Sequence, residues 1–464
     1  MPCGTCGPMT SSFTALLPTT EHALLHRIAV AQTEGRAPSL VAAVARGGRM
    51  VWAGARGDVG SAADTQYRIG SITKPFTAVL VMRLRDEGLL DLDDPLERHL
   101  PGTGVGAVTV AQLLGHSGGL AAESPGPWWE RAPGGLRPGL PEVLGDRPLV
   151  HPPGRRHHYS NPGYTLLGAL VAEVRGVPWE EALRGEVLEP LGMERTTSRP
   201  VAPYAEGWAV HPWADVLLPE PAEDLGVMAP AGVLWATAAD LCRFASFLAG
   251  GDDRVLSASS VREMRTAAAP PVAGDWDGGY GLGLQLARRN GRSLAGHSGS
   301  LPGFVAGLWF GVEEDVAAVV LANATSGPQA GALAADLVNV VAEAEPPLPG
   351  PWRPLAGADH ALLALTGPWY WGTYAYGLAL LADGGVELRP LRGAGRGSRF
   401  RRRPDGGWIG LDGYYDGEVL RVVRREDGSV SHLDLGSFVF TREPYEPGDA
   451  VPGGVDEGGW RGAP

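Results

Sequence analysis

Between Pro75 and Leu84 the chain carries Phe76, Val79, Leu80, Val81, Met82 and Leu84 with hardly a polar face. A helix of that pattern has no side to turn to water and must be packed round by the rest of the fold. Arg83, Arg85 and Asp86 mark its end and Gly88 stops it. If the helix enters at Ser71, Lys74 lies one turn on along the same face, amine against hydroxyl, with Pro75 in the first turn where a missing N–H costs least. A lysine in such a core loses its charge more readily than the ordinary pKa of about 10.4 implies, and a neutral amine is a base for a serine nucleophile. A bare Ser-x-x-Lys also describes an N-capping serine and a surface lysine, so its neighbours decide.

Composition narrows the field. With 464 residues the chain has room for two or three domains, and 44% apolar and 20% charged residues suit a packed core. A formal charge of −13 argues against nucleic acid or an anionic membrane surface as partner. Cys3, Cys6 and Cys242 make no disulfide framework, and Cys3-x-x-Cys6 without a second ligand pair is a poor zinc site, so no metal site is expected. The first twenty residues lack the pattern of an export signal and no stretch could span a bilayer, so a cytoplasmic protein is expected.

Taken in order, residues 1–18 read as a loose leader and 19–344 as an α/β (α+β) domain. A helix is expected over Glu21–Gln32, then strands Ser39–Ala45 and Met50–Ala53 joined at Gly47-Gly48 in a hairpin. Further helices are expected over Tyr164–Val174, from Pro178, and over Thr237–Leu248 with Thr237 and Asp240 as a capping box. An antiparallel meander follows at Gly281–Ala287, Ser293–Gly296, Phe304–Phe310 and Val316–Leu321, then a helix over Gln329–Glu343. Residues 345–358 are a proline-rich linker. Residues 359–464 hold short strands between turns such as Asp383-Gly384-Gly385, an all-β unit built as a small barrel, with a tail.

Gly115-His116-Ser117-Gly118-Gly119 matches a nucleophile elbow letter for letter but follows a helix-like segment where that elbow needs a buried strand, so it reads as a structural turn. Trp128 and Trp129, in the next loop, could line a substrate cleft or pack it down. In His157-His158-Tyr159-Ser160-Asn161-Pro162 the paired histidines lack metal-ligand spacing, and Asn161 with Pro162 makes a helix N-cap and first position.

Three elements stand in order: Ser71-Ile72-Thr73-Lys74, Tyr159-Ser160-Asn161 and Gly296-His297-Ser298-Gly299. With Tyr67-Arg68-Ile69-Gly70, Leu113–Leu120 and Leu301-Pro302-Gly303-Phe304 they resemble the penicillin-recognising serine enzymes, a family of class C β-lactamases, D-alanyl-D-alanine carboxypeptidases, D-aminopeptidases and esterases. The resemblance implies a β-lactamase/DD-peptidase-like antiparallel sheet with a helical subdomain, and a small lipocalin-like barrel after it. It implies a cofactor-free acyl-enzyme route in which Ser71 attacks, Lys74 and Tyr159 share the proton, and Asn161 orients Lys74 and the substrate amide. The backbone N–H groups of Ser71 and Ser300 would form an oxyanion hole, worth about 3 kcal/mol per donor. His297 stands where many relatives carry lysine; as a donor there it would steady a carboxylate or the tyrosine oxygen, but with less fixed positive charge at pH 7, which weakens the case for an efficient β-lactamase. A subgroup with the same appended barrel, the stand-alone penicillin-binding-protein-type thioesterases, takes a nonribosomal peptide from a peptidyl carrier protein and releases or macrocyclises it. There the C-terminal domain would cap the cleft and Arg442 could anchor a carboxylate, or simply be a solvated strand end. An esterase or a D-aminopeptidase- or carboxypeptidase-like hydrolase remains the alternative, and a non-catalytic binding protein a weaker one.

Overall fold

The computed structural model describes residues 15–132, 138–269, 277–355, 357, 359–446 and 448–450. The chain divides into two compact units, Met1–Pro347 and Leu348–Pro464. The expected Cys3 and Cys6, most of the leader and the end of the tail lie outside the described residues.

The first unit is built on helix α1 (Pro18–Glu34), strands β1 (Ser39–Arg46) and β2 (Arg49–Gly57), and helices α2 (Thr73–Asp86), α3 (Asn161–Arg175) and α4 (Ala238–Gly250). Strands β3 (Gly278–Tyr280), β4 (Gln285–Arg289), β5 (Arg292–Leu301), β6 (Phe304–Gly311) and β7 (Val316–Ala322) and helix α5 (Ala330–Ala344) follow. The seven strands form one antiparallel sheet in the order β2-β1-β7-β6-β5-β4-β3. Strands β6 and β7 are apolar at every position because both faces are covered. On β1, Val41, Ala43 and Ala45 join the large core that holds α2, α3 and α4, while Leu40, Ala42 and Val44 join the core under α1 and α5. The β1–β2 turn falls where expected, with Gly47 and Gly48 at φ of 57° and 74°, the left-handed pair that a two-residue hairpin needs.

Three details differ from expectation. Helix α1 starts at Pro18, and Leu16 is already buried in the core, so the end of the leader is packed. Gly281–Gly283 is a turn between β3 and β4, closed by Gly281 N donating to Leu284 O at 2.8 Å and turned by Gly283 at φ of 85°. Thr237 does cap α4 by accepting from Asp240 N, but the Asp240 carboxylate accepts from Arg195 N and the Thr196 hydroxyl, so no capping box closes.

The second unit is an antiparallel sheet of eight strands in sequence order: β8 (Gly367–Trp371), β9 (Tyr374–Leu380), β10 (Val386–Pro390), β11 (Ser398–Arg402), β12 (Trp408–Gly410), β13 (Val419–Arg424), β14 (Val430–Leu435) and β15 (Phe438–Phe440). Tyr370 and Thr441, next to β15, bridge back-to-back through N–H···O bonds of 2.8 and 2.9 Å, so the barrel is nearly closed. Trp369, Tyr376, Phe400, Leu433 and Phe440 fill it. Among the described residues no helix is long and apolar enough to cross a membrane.

Candidate active site

Helix α2 is preceded by one turn of 3-10 helix, Gly70–Ile72, which carries Ser71 at the rim of the core. Phe76, Val79, Leu80, Val81 and Met82 bury the helix on all sides, and Lys74 goes in with them, wholly inaccessible to solvent. Its Nζ donates to Ser71 Oγ at 3.0 Å, to Asn161 Oδ1 at 2.7 Å and to Ala231 O at 2.8 Å. Burial brings the Lys74 pKa down to about 7, against the opposing pull of the Glu123 and Glu130 carboxylates. The Tyr159 phenol is close enough to Ser71 to feel its hydroxyl, its ring centroid is 4.8 Å from Lys74 Nζ, and burial pushes the phenol far above the ordinary range. Ser71 thus sits between a neutralisable amine and a phenol that keeps its proton.

The cap of α3 is displaced by one residue from the sequence reading. Ser160, not Asn161, is the N-cap: its hydroxyl accepts from Gly163 N at 3.0 Å and donates to Ala121 O at 2.7 Å. Asn161 becomes the first helical residue, and its side chain is released from capping to bridge Lys74 Nζ and Glu123, donating to Glu123 Oε1 at 2.7 Å.

Strand β5 closes the other wall. Gly70 has φ of 52°, and a Cβ there would lie 2.7 Å from Ser300 N. A Cβ on Gly299 would meet Ile69 O at 2.0 Å and Ser71 N at 3.0 Å. Bare backbone on both sides lets the Gly299-Ser300 backbone lie against Gly70-Ser71, which brings the two expected oxyanion residues together.

His297, on the same strand, is fully buried and both ring nitrogens are engaged. Nδ1 donates to Ser298 O at 2.6 Å, and Nε2 accepts from the Tyr280 hydroxyl at 2.9 Å. Burial first, then the charge of Lys74, hold its pKa at about 3 against the Ser298 carbonyl. The ring is therefore neutral at pH 7, and with both nitrogens partnered it offers no N–H to a substrate carboxylate.

Of the weaker candidates, Trp129 Nε1 donates to Glu123 Oε2 at 2.9 Å, which ties its indole to the Asn161–Lys74 chain. Trp128 is exposed, bonded to Glu130 and stacked under Arg131. Arg442 is not a solvated strand end: its guanidinium donates to the carbonyls of Ala364, Thr366 and Pro368 and lies 4.0 Å over the Trp369 ring, all within the second unit. Ser117 is buried in the turn after a five-residue helix, Val110–Leu114, as the structural reading of that motif has it. Glu123, the Ala231 carbonyl and Tyr280 were invisible from sequence, because nothing in their local spacing signals a partner far off in the chain. Among the described residues no group of three or more His, Cys, Asp or Glu is arranged to hold a metal ion.

A sheet flanked by helices with a serine, a buried lysine, a tyrosine and an asparagine gathered beside one of its strands defines a serine-hydrolase class. The chain belongs to the Beta-lactamase family, whose model matches residues 24–343; residues 358–442 match the Domain of unknown function (DUF7586). It is 28% identical to "Beta-lactamase-like protein 2" of Dictyostelium discoideum, over 53% of this chain and 48% of that protein, so only about half of that relative is spanned. It is 30% identical to "Penicillin-binding protein 4" of Amycolatopsis lactamdurans, over 56% of this chain and 72% of that protein. Among solved structures, SurE is 25% identical with a TM-score of 0.57, covering 92% of this chain and 99% of that one. A D-stereospecific amidohydrolase from Streptomyces sp. is 26% identical with a TM-score of 0.57, covering 71% and 98%.

Proposed function

We propose that the protein is a serine acyl-enzyme hydrolase or acyltransferase acting on a peptide-like acyl donor, and in particular a penicillin-binding-protein-type thioesterase that releases or macrocyclises a carrier-bound peptide. The observation that carries the chemistry is the 3.0 Å bond between Ser71 Oγ and a Lys74 amine brought to about 7 by burial. Neutral Lys74 takes the hydroxyl proton as Ser71 Oγ bonds to the carbonyl carbon, and the backbone at Ser71 and Ser300 receives the developing oxyanion. Collapse expels the thiolate, amine or alkoxide, which leaves with a proton relayed through Tyr159. Water or an amine then attacks the ester carbonyl, Lys74 again takes its proton, and Ser71 Oγ regains one. The high phenol pKa makes the amine the base and the tyrosine the relay.

Charge around the site supports the donor class. Neutral His297 supplies no fixed cation for a free carboxylate, while the exposed Glu123 carboxylate beside Asn161 favours a donor or acceptor bearing an ammonium group. The likeness to a D-stereospecific amidohydrolase, and to SurE, a structure of which contains D-Leu, supports a D-residue at the scissile carbonyl. A cytoplasmic setting belongs to the same reading. A D-aminopeptidase-like hydrolase is the second reading, favoured by the same Glu123 carboxylate.

The test is intact-protein mass spectrometry of wild-type and Ser71→Ala protein mixed with a peptidyl thioester ending in a D-residue. A Ser71-dependent acyl adduct that resolves to a cyclic peptide supports the cyclase, and one that resolves to free acid a hydrolase. No adduct and no turnover would remove this donor class.

A further inference from the structure

Tyr159 lies in residues 157–160, which form neither helix nor strand, yet its phenol must hold one position on Ser71. The segment is fastened from both sides by one residue of the Gly115–Gly119 turn. His158 N donates to the His116 carbonyl at 2.7 Å, and Ser160 N donates to His116 Nδ1 at 3.1 Å. Between those two amides the His116 ring lies against the Tyr159 ring, centroids 4.2 Å apart and tilted by 35°. His116 is 2% exposed, and burial keeps the imidazole neutral, so Nδ1 stays an acceptor with the ring proton on Nε2. It reaches this place with φ of 55°, a left-handed conformation that costs a residue with a Cβ and that asparagine tolerates better than most.

We propose that His116 is a positioning residue for Tyr159: by holding the amides on either side of it and one face of its ring, it keeps the phenol on the Ser71 hydroxyl. The inference rests on the reading of Tyr159 as the proton relay. It gives a purpose to the turn whose letters mimic a nucleophile elbow: the histidine in it acts, through the tyrosine, on a serine elsewhere. A glycine at 116 would fit the backbone but lose the acceptor and the ring. An asparagine would fit the backbone and place Oδ1 where Nδ1 stands.

The experiment is single-turnover acylation of Ser71 by the peptidyl thioester above in full-length wild type, His116→Gly, His116→Asn, Tyr159→Phe and the His116→Gly/Tyr159→Phe double variant. Expected is a fall of about tenfold to a hundredfold in the acylation rate of His116→Gly with the half-saturating donor concentration nearly unchanged, and recovery of most of it in His116→Asn. In the Tyr159→Phe background the glycine should add less than about twofold, because the relay it serves is already gone. Wild-type acylation by His116→Gly, or the same loss in both backgrounds, would overturn the proposal. Should His116→Gly not fold, as circular dichroism would report, His116→Asn carries the test, and a loss in it as large as that of Tyr159→Phe would overturn the proposal. If Tyr159→Phe itself acylates at the wild-type rate, the relay reading falls and takes this inference with it.

Discussion

The two units bury different things. The first encloses Arg68, Lys74, His116, Asp240 and His297, groups that a core ordinarily excludes. Among the described residues of the second, the buried polar side chains are Ser398, His432 and Thr441, and the rest of the interior is aliphatic and aromatic. Enclosing a charge costs stability unless it is paired or neutralised. The first unit meets that cost by lowering the basicity of Lys74 and His297 and surrounding them with acceptors and donors. The second avoids it, and even Arg442 is held outside its core on carbonyls and an indole face. Chemistry belongs where burial has been used to change what a group does.

That contrast can be broken at either end. The largest effect expected is that of Ser71→Ala, which should remove the acyl adduct and at least about a thousandfold of turnover while leaving the circular dichroism spectrum intact. Lys74→Met and Tyr159→Phe should each lower acylation by about 10²–10⁴, read by single-turnover kinetics. Trp369→Ala should cost the barrel about 3–5 kcal/mol in denaturant unfolding yet leave labelling of Ser71 by a small fluorophosphonate unchanged. A loss of labelling there would erase the division between the units. A finer effect lies in the pH profile. Lys74 must be neutral to take a proton, so acylation should rise through about pH 7 as its ammonium is lost. His297, held at about 3, should add no limb in that range. Glu123 raises the Lys74 pKa, so Glu123→Gln should move that limb to lower pH, and a shift the other way would refute the electrostatic account.

How much of this was legible follows the same division. The all-round apolar face of α2 announced a core helix, and with it a lysine that had to be buried beside a serine. Tyr159 and Asn161 were found as a motif, but the cap was read one residue late, since serine and asparagine are both good N-caps and only backbone geometry chooses between them. The role of His116 could not be read, because it depends on a positive φ and on amides 42 and 44 positions onward in the sequence. Glu123 sits in a loop of Ala, Ser, Pro and Gly that gives no periodicity to interpret. The β-strands of the barrel were visible as alternating runs and turns, whereas the fate of Arg442 was not, its partners being carbonyls that every residue possesses.

The bridge between Tyr370 and Thr441 has a consequence for how the second unit can meet other molecules. A sheet whose first and last strands are stitched together presents little unpaired rail for an incoming peptide to extend. Recruitment by strand addition is thereby disfavoured, and so is the edge-to-edge sticking that exposed strands invite. What the unit leaves to contact is mostly side chains and loops.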